Sequence, residues 1–224
     1  METHLIACGM LRDELELAMA HTGIRPPVVW IEKGLHDNPK KLHEVLQNQI
    51  LQVPEDCRLI LLAMANCGGA TNGLVSETAS LAIPRFDDCI RMLLSREPGL
   101  WNGADLRTLY FTRQWMDSDR YLLRDLDQYH RRYGEKRAKA IQKAMLANYK
   151  SYGLIDTGAF DMAELEPAAR RDAAQLELSF SVQPGSIRIL EKLLRQSFDE
   201  EIYVAAPGQR LSQEQILGQR TGCN

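Results

Sequence analysis

The sequence Leu59-Ile60-Leu61-Leu62-Ala63-Met64-Ala65 shows no alternation of apolar and polar residues. A strand of this kind is buried on both faces, as in a parallel sheet that is covered by helices on either side. The glycine-rich segment Cys67–Gly73 follows almost directly. Because a membrane helix needs roughly 18 apolar residues, this shorter run predicts a central strand rather than a membrane span.

Similar short runs rich in Leu, Ile and Val recur along the chain, and segments with helical spacing separate them. The charged stretch 117–150 predicts one or two helices with a break near Gly134. The alternation of strands and helices predicts an α/β fold with a mostly parallel, doubly wound, Rossmann-like sheet. The predicted strands besides the first run are His4–Gly9, Val28–Glu32, Leu81–Pro84, Thr108–Thr112, Ile155–Gly158, Glu177–Val182 and Ile202–Gly208.

The domain organisation follows from the absence of any linker rich in Pro, Gly and Ser. We expect either one α/β domain over residues 1–224 or two closely packed lobes. The first lobe, 1–98, would carry the candidate metal site, and the second would cover 104–208. A polar tail is expected over 209–224.

The composition restricts the possible partners. Lys and Arg number 27 against 30 Asp and Glu, so the formal net charge is −3 and nucleic acid is not an expected partner. The first residues, METHLIACGML, have no basic segment of an export signal, which predicts a cytoplasmic protein with no membrane association. Disulfides are disfavoured there, so the cysteines are either core residues or metal ligands.

Reactive side chains follow consecutive predicted strands, whose carboxyl ends share one edge of a parallel sheet. Cys8 ends the first strand, and His36 follows the second as a ligand or proton carrier. Cys67 ends the third, and Cys89 lies in the first turn of the helix after the fourth. Three thiolates and an imidazole suit tetrahedral Zn²⁺, and three thiolates also suit a 4Fe–4S cluster. Cys57 is predicted at the opposite end of its strand, away from this group.

Core packing is the alternative interpretation of each cysteine, because cysteine is among the most buried residue types. Because all four candidate ligands are predicted at the same edge of the sheet, a metal site is favoured over core packing. A glycine follows both Cys8 and Cys67 and allows a close backbone approach. Cys89 lies at a helix N-terminus, which is expected to lower the pKa of its thiol. Cys223, in the tail, has no predicted role.

Further residues at the same edge are candidates for binding a substrate. The loop with Gly68, Gly69 and Asn72 is expected to lead into a helix. It either cradles an anion on backbone N–H groups or only allows a tight turn. Arg85 would bind an anionic substrate through two parallel hydrogen bonds and is a candidate catalytic residue. Asp88 either caps the next helix, the commoner role, or accepts a proton.

Together these segments resemble a bacterial and archaeal family named domain of unknown function 1638. The resemblance covers nearly the whole chain. Family members often have His directly before the Asp–Cys pair, where this chain has Asp87, a harder ligand. The motifs that carry the resemblance are Ala7-Cys8-Gly9, Leu35-His36-x-x-Pro39, Cys67-Gly68-Gly69, Pro84-Arg85-x-x-Asp88-Cys89-Ile90, Tyr133-Gly134-Glu135, Gly185-Ser186-Ile187 and Ala206-Pro207-Gly208.

The resemblance implies a place beside corrinoid proteins and methyltransferases for trimethylamine or betaine. We therefore expect a metal-binding methyltransferase, hydrolase, lyase or accessory protein of corrinoid-linked one-carbon metabolism. Its substrate would be small and either anionic or methylated, and an oligomer is compatible with the sequence. Two alternatives stay open: an iron–sulfur lyase or redox protein, and a non-catalytic partner or chaperone of a corrinoid methyltransferase.

Overall fold

The computed structural model describes residues 2–98, 104–119 and 121–218. The strands of the described residues are β1 (Glu2–Cys8), β2 (Val28–Ile31), β3 (Cys57–Ala63), β4 (Ser80–Pro84), β5 (Thr108–Phe111), β6 (Ser151–Asp156), β7 (Ser179–Pro184) and β8 (Ile202–Ala205). Their helices are α1 (Arg12–Thr22), α2 (Pro39–Leu51), α3 (Cys89–Leu94), α4 (Arg113–Met116), α5 (Leu122–Tyr133), α6 (Glu135–Met145), α7 (Met162–Gln175), α8 (Arg188–Leu194) and α9 (Gln213–Leu217).

The larger sheet has the strand order β2-β1-β3-β4-β8, with β8 antiparallel to β4 and all other pairs parallel. The central strand β3 is buried on both faces, as predicted. Leu61 and Ala63 pack into the apolar layer on one face, and Ile60 and Leu62 pack into the layer on the other. This double burial explains why the strand carries no polar alternation.

Helices cover both faces of this sheet, which confirms the predicted α/β, doubly wound, Rossmann-like class. On one face Leu15 of α1 and Leu190 of α8 lie in the same buried layer as α3. On the other face Leu46 of α2 packs with Ile216 of α9. None of the described helices has the length and apolar character needed to cross a membrane.

A second sheet, ordered β5-β6-β7, is parallel throughout and has its own apolar layer beneath α5 and α7. A buried hydrogen-bond chain ties that layer together: the Tyr121 hydroxyl donates to Asp172 Oδ2 at 2.6 Å and lies 2.8 Å from the Tyr152 hydroxyl. The charged stretch forms α5 and α6, with the break at Gly134, whose φ is +75°. The predicted break is thus confirmed.

The C-terminal part of the chain differs from the sequence expectation. The second lobe was expected to cover 104–208. In the structure α8 and β8 pack with the larger sheet, so the part of the chain that belongs to the second sheet ends with β7. The described part of the expected tail forms α9, because Leu211 and Ile216 supply buried apolar contacts within an otherwise polar segment. Cys223 lies outside the described residues.

The connection between β3 and β4 also differs from the prediction. The fully described segment 64–79 contains turns and no helix. Buried polar contacts hold it instead: the Thr71 hydroxyl donates to Asn66 Oδ1 at 2.7 Å, and Gly73 N–H donates to Leu211 O. A helix N-terminus is therefore not available at this loop to bind an anion.

The two sheets meet through the first turn of α1. Asp13 accepts hydrogen bonds from Arg113 Nε at 2.8 Å and from Gln114 Nε2 at 2.7 Å. The fully buried Glu14 accepts one from the Thr157 hydroxyl at 3.1 Å. Gln114 and Thr157 follow the carboxyl ends of β5 and β6, so those ends face the larger sheet.

Burial raises the pKa of Glu14 from 4.5 to about 7. A carboxyl whose pKa is raised by folding stabilises the fold below its ordinary pKa, and this contribution is lost as the pH rises through the folded value. Glu14→Gln does not titrate. Between about pH 4.5 and pH 8, its free energy of unfolding should therefore gain about 3 kcal/mol relative to the unsubstituted protein.

Urea denaturation across this pH range measures the difference. Glu16→Gln is the matched control, because Glu16 lies on the same helix but is exposed. If both variants follow the pH dependence of the unsubstituted protein, Glu14 is not the group responsible.

Candidate functional site

A cavity of about 310 Å³ opens at the carboxyl edge of the larger sheet. All the cysteines predicted for the metal site line it, together with the predicted His36. Trp115 forms one wall, and it belongs to α4, the helix that follows β5 of the second sheet. The cavity therefore lies between the two sheets. Its lining residues are Cys8, Met10, His36, Cys67, Gly68, Asp88, Cys89, Ile90 and Trp115.

The sulfur atoms of Cys67 and Cys89 lie 3.9 Å apart, in hydrogen-bond contact. Cys8 ends β1, next to β3 in the sheet, and packs against the apolar layers on both faces. Cys57 lies at the start of β3 and is buried away from these thiols. The structure thus brings together the three predicted cysteines and separates the one that was excluded.

The thiols of Cys8 and Cys89 are harder to ionise than ordinary thiols. Burial raises the pKa of Cys8 to about 12, with a further contribution from the nearby Cys89. The pKa of Cys89 is also raised, first by its hydrogen bond with Cys67 and then by burial. The prediction that the N-terminus of α3 lowers the pKa of Cys89 was wrong. Burial and the contact with Cys67 raise this pKa by more than a short helix can lower it.

Backbone contacts hold Cys67 in an unusual conformation. Its φ of +44° lies in the left-handed region, where a residue other than glycine costs about 1–3 kcal/mol. Its N–H donates to Asp87 O at 2.9 Å, and Asn66 N–H donates to Phe86 O at the same distance. These bonds fasten the loop after β3 to the segment between β4 and α3, so they fix Cys67 beside Cys89.

His36 lies in a single turn after β2 and is partly buried. Its Nε2 atom is 3.2 Å from Asp37 Oδ1. Its ring centroid lies 4.7 Å from that of Trp115, at an interplanar angle of 50°. The predicted imidazole is therefore held between a carboxylate on its own loop and an aromatic ring from the second sheet.

Asp88 performs the capping role that was predicted as the commoner one. Its Oδ1 accepts a hydrogen bond of 2.7 Å from Arg91 N–H in the first turn of α3. Partial burial raises the pKa of Asp88, and that backbone hydrogen bond opposes the rise. The half-exposed carboxyl lines the cavity as well, so it is also placed to exchange a proton with a bound molecule.

Three predicted substrate-binding residues are not among those lining the cavity: Gly69, Asn72 and Arg85. Arg85 lies over the ring of Tyr203 at 5.3 Å, and Tyr203 packs against the layer on the face of the sheet that α2 and α9 cover. Its neighbour Phe86 packs into the opposite layer, and successive residues of an extended segment point to opposite faces. Asn72 Oδ1 caps the start of α9 by accepting from Gln213 N–H at 3.0 Å.

The sequence analysis missed the apolar wall formed by Met10, Ile90 and Trp115. Met10 directly follows the motif Ala7-Cys8-Gly9, and Ile90 is the last residue of the motif that contains Cys89. Trp115 follows the carboxyl end of β5 and reaches the cavity only because the second sheet packs against the first turn of α1.

The donor set fits a soft metal ion only in part. Two thiolates bound at about 2.3 Å to one tetrahedral ion are roughly 3.8 Å apart, which agrees with the 3.9 Å between Cys67 and Cys89. As the side chains of the described residues stand, no three His, Cys, Asp or Glu surround a common metal position. A third ligand from Cys8 or His36 would require a side-chain rotation.

Comparisons with known proteins agree with the resemblance in the sequence. A family model described as a protein of unknown function (DUF1638) matches residues 30–194. The match includes His36, Cys67 and Cys89 and begins after Cys8. No curated protein and no solved structure matches the chain.

The two roles of Asp88 can be separated by substitution. Asp88→Ala removes the hydrogen bond to Arg91 N–H and should lower the free energy of unfolding by about 1 kcal/mol. Asp88→Asn keeps the accepting oxygen, so its free energy of unfolding should lie within about 0.5 kcal/mol of that of the unsubstituted protein. Urea denaturation compares the three proteins, and equal losses in both variants would show that the capping bond is not the stabilising contact.

Proposed function

The chain belongs to the DUF1638 family, and we propose that it is a metal-binding protein that holds Zn²⁺ with Cys67 and Cys89. The observation that carries the proposal is the 3.9 Å between the two sulfur atoms, the separation expected for two thiolates on one tetrahedral ion. Both thiols line a cavity at the carboxyl ends of parallel strands, where α/β proteins bind ligands.

Cys8 and His36 are the candidates for the remaining protein ligands. Both line the cavity with Cys67, and all three also line a small cleft of about 10 Å³. Thiolate and imidazole are ligands that zinc accepts, and a site with three protein ligands leaves a position open for a substrate.

Such an arrangement supports a catalytic role. When bound, zinc would supply Lewis-acid activation of a nucleophile. Met10, Ile90 and Trp115 would exclude water, which strengthens electrostatic interactions inside the cavity. Asp88 and His36 line the same space and would take up or donate a proton at their side-chain oxygen or nitrogen.

The lining favours a methylated substrate over an anionic one. Among the described residues that line the cavity there is no Lys or Arg, and Arg85, the cation expected to bind an anion, lies elsewhere. A volume of about 310 Å³ suits a small molecule. We therefore propose methyl transfer as the reaction, within the corrinoid-linked one-carbon metabolism that the family resemblance implies, with a corrinoid protein or methyltransferase as partner.

The thiol spacing favours zinc over the iron–sulfur alternative. The cysteine ligands of a 4Fe–4S cluster bind different irons, and two thiolates 3.9 Å apart fit a single ion better. A non-catalytic partner of a methyltransferase would not need these thiols, so loss of metal binding in cysteine variants without loss of partner binding would favour that role.

Zinc binding can be measured directly on the chelator-treated protein. We expect one Zn²⁺ per chain in titrations with a competing chromophoric chelator. Cys67→Ser or Cys89→Ser should weaken binding by at least the roughly 100-fold that changes around a metal site can cost. Elemental analysis of protein purified with and without oxygen tests the iron–sulfur alternative in parallel.

Cys57→Ser is the matched control, because Cys57 is a buried cysteine of the same strand, at the end away from the cavity. It should bind zinc as tightly as the unsubstituted protein. The absence of stoichiometric zinc or iron, or equal weakening in the Cys57 variant, would overturn the metal site.

A further inference from the structure

The contact between Cys67 and Cys89 has a chemical consequence that does not depend on a metal. Within the described residues, theirs is the only hydrogen bond between two cysteines. The sulfur atoms are 3.9 Å apart, and a disulfide needs them at about 2.05 Å. The closure required is about 2 Å, within reach of side-chain rotation and a small loop shift.

The backbone around the pair is suited to such a crosslink. The hydrogen bonds from Asn66 N–H to Phe86 O and from Cys67 N–H to Asp87 O hold the two loops together. Cys89 follows Asp87 by two residues, at the start of α3. A disulfide would therefore link loops that the fold already holds together.

The two thiols differ in access. Cys67 is partly exposed and lines both the cavity and the small cleft. Cys89 is only 8% exposed and is reached through the same cavity. A molecule entering the cavity can therefore reach the Cys67 sulfur more readily than the Cys89 sulfur.

We propose that Cys67 and Cys89 form a redox-active dithiol that exchanges with a small-molecule disulfide admitted by the cavity. The Cys67 thiol loses its proton, and its sulfur attacks one sulfur of the small disulfide. A mixed disulfide forms, and the other half leaves and takes up a proton as a thiol.

The Cys89 thiol then loses its proton, and its sulfur attacks the Cys67 sulfur and releases the second small thiol. Two protein thiols are oxidised and one small disulfide is reduced to two thiols, so atoms and electrons balance.

This site also bears on metal binding, a consequence that rests on the proposed function. The sulfurs joined in the disulfide are those proposed as zinc ligands, and a disulfide sulfur is no longer a thiolate. The reduced chain would hold the ion, and the oxidised chain would release it.

The experiment uses 2-hydroxyethyl disulfide, a probe small enough for the cavity, with the chelator-treated full chain. Peptide mapping under non-reducing conditions should show one disulfide between Cys67 and Cys89, with the loss of two free thiols, and dithiothreitol should reverse it. Cys57→Ser should give the same crosslink. In Cys89→Ser the reaction should stop at a mercaptoethanol adduct on Cys67.

Several outcomes would overturn the dithiol: no crosslink in the unsubstituted chain, a crosslink that uses Cys8, or no adduct on Cys67 in Cys89→Ser. The first two measurements use the unsubstituted protein, so they stand even if a variant fails to fold. Crosslinking without zinc binding would reject the proposed function alone, and zinc binding without crosslinking would reject the dithiol alone.

Discussion

Two backbone hydrogen bonds hold the thiol site together, one from Asn66 to Phe86 and one from Cys67 to Asp87. They join the segment after β3 to the segment after β4, beyond the residues through which the two strands pair. They hold Cys67 in its left-handed conformation against a cost of about 1–3 kcal/mol. Without them the loop after β3 would be free to relax, and the Cys67 sulfur would not be held beside Cys89.

The sequence was sufficient to predict the larger sheet and the edge of that sheet on which Cys8, Cys67 and Cys89 lie. The unbroken apolar run in β3 identified a strand buried on both faces, and the helical segments around it gave the α/β class. Because parallel strands end at one edge, the order of strands placed Cys8, Cys67 and Cys89 together without any knowledge of their distances. Cys57 was separated from them by the same rule.

The features that could not be predicted from the sequence depend on contacts between distant segments of the chain. The side to which Arg85 points follows from how the chain turns after β4 and from the later Tyr203, which covers it. Trp115 reaches the cavity because Asp13 and Glu14 bind residues of the second sheet, a contact that no local pattern reveals. The pKa of Cys89 depends on burial and on Cys67, so the helix terminus alone predicted the wrong direction.

The apolar wall of the cavity and the raised pKa values of Cys8 and Cys89 limit what the site can contain. A resting thiolate at Cys8 or Cys89, among Met10, Ile90 and Trp115, would be a buried charge without a partner, which is costly. Two thiols, a disulfide, and two thiolates with a divalent cation are all neutral overall. The same surroundings therefore tolerate each of these three states. Exchange between them moves protons, electrons or the ion, and it leaves no net charge behind in the cavity.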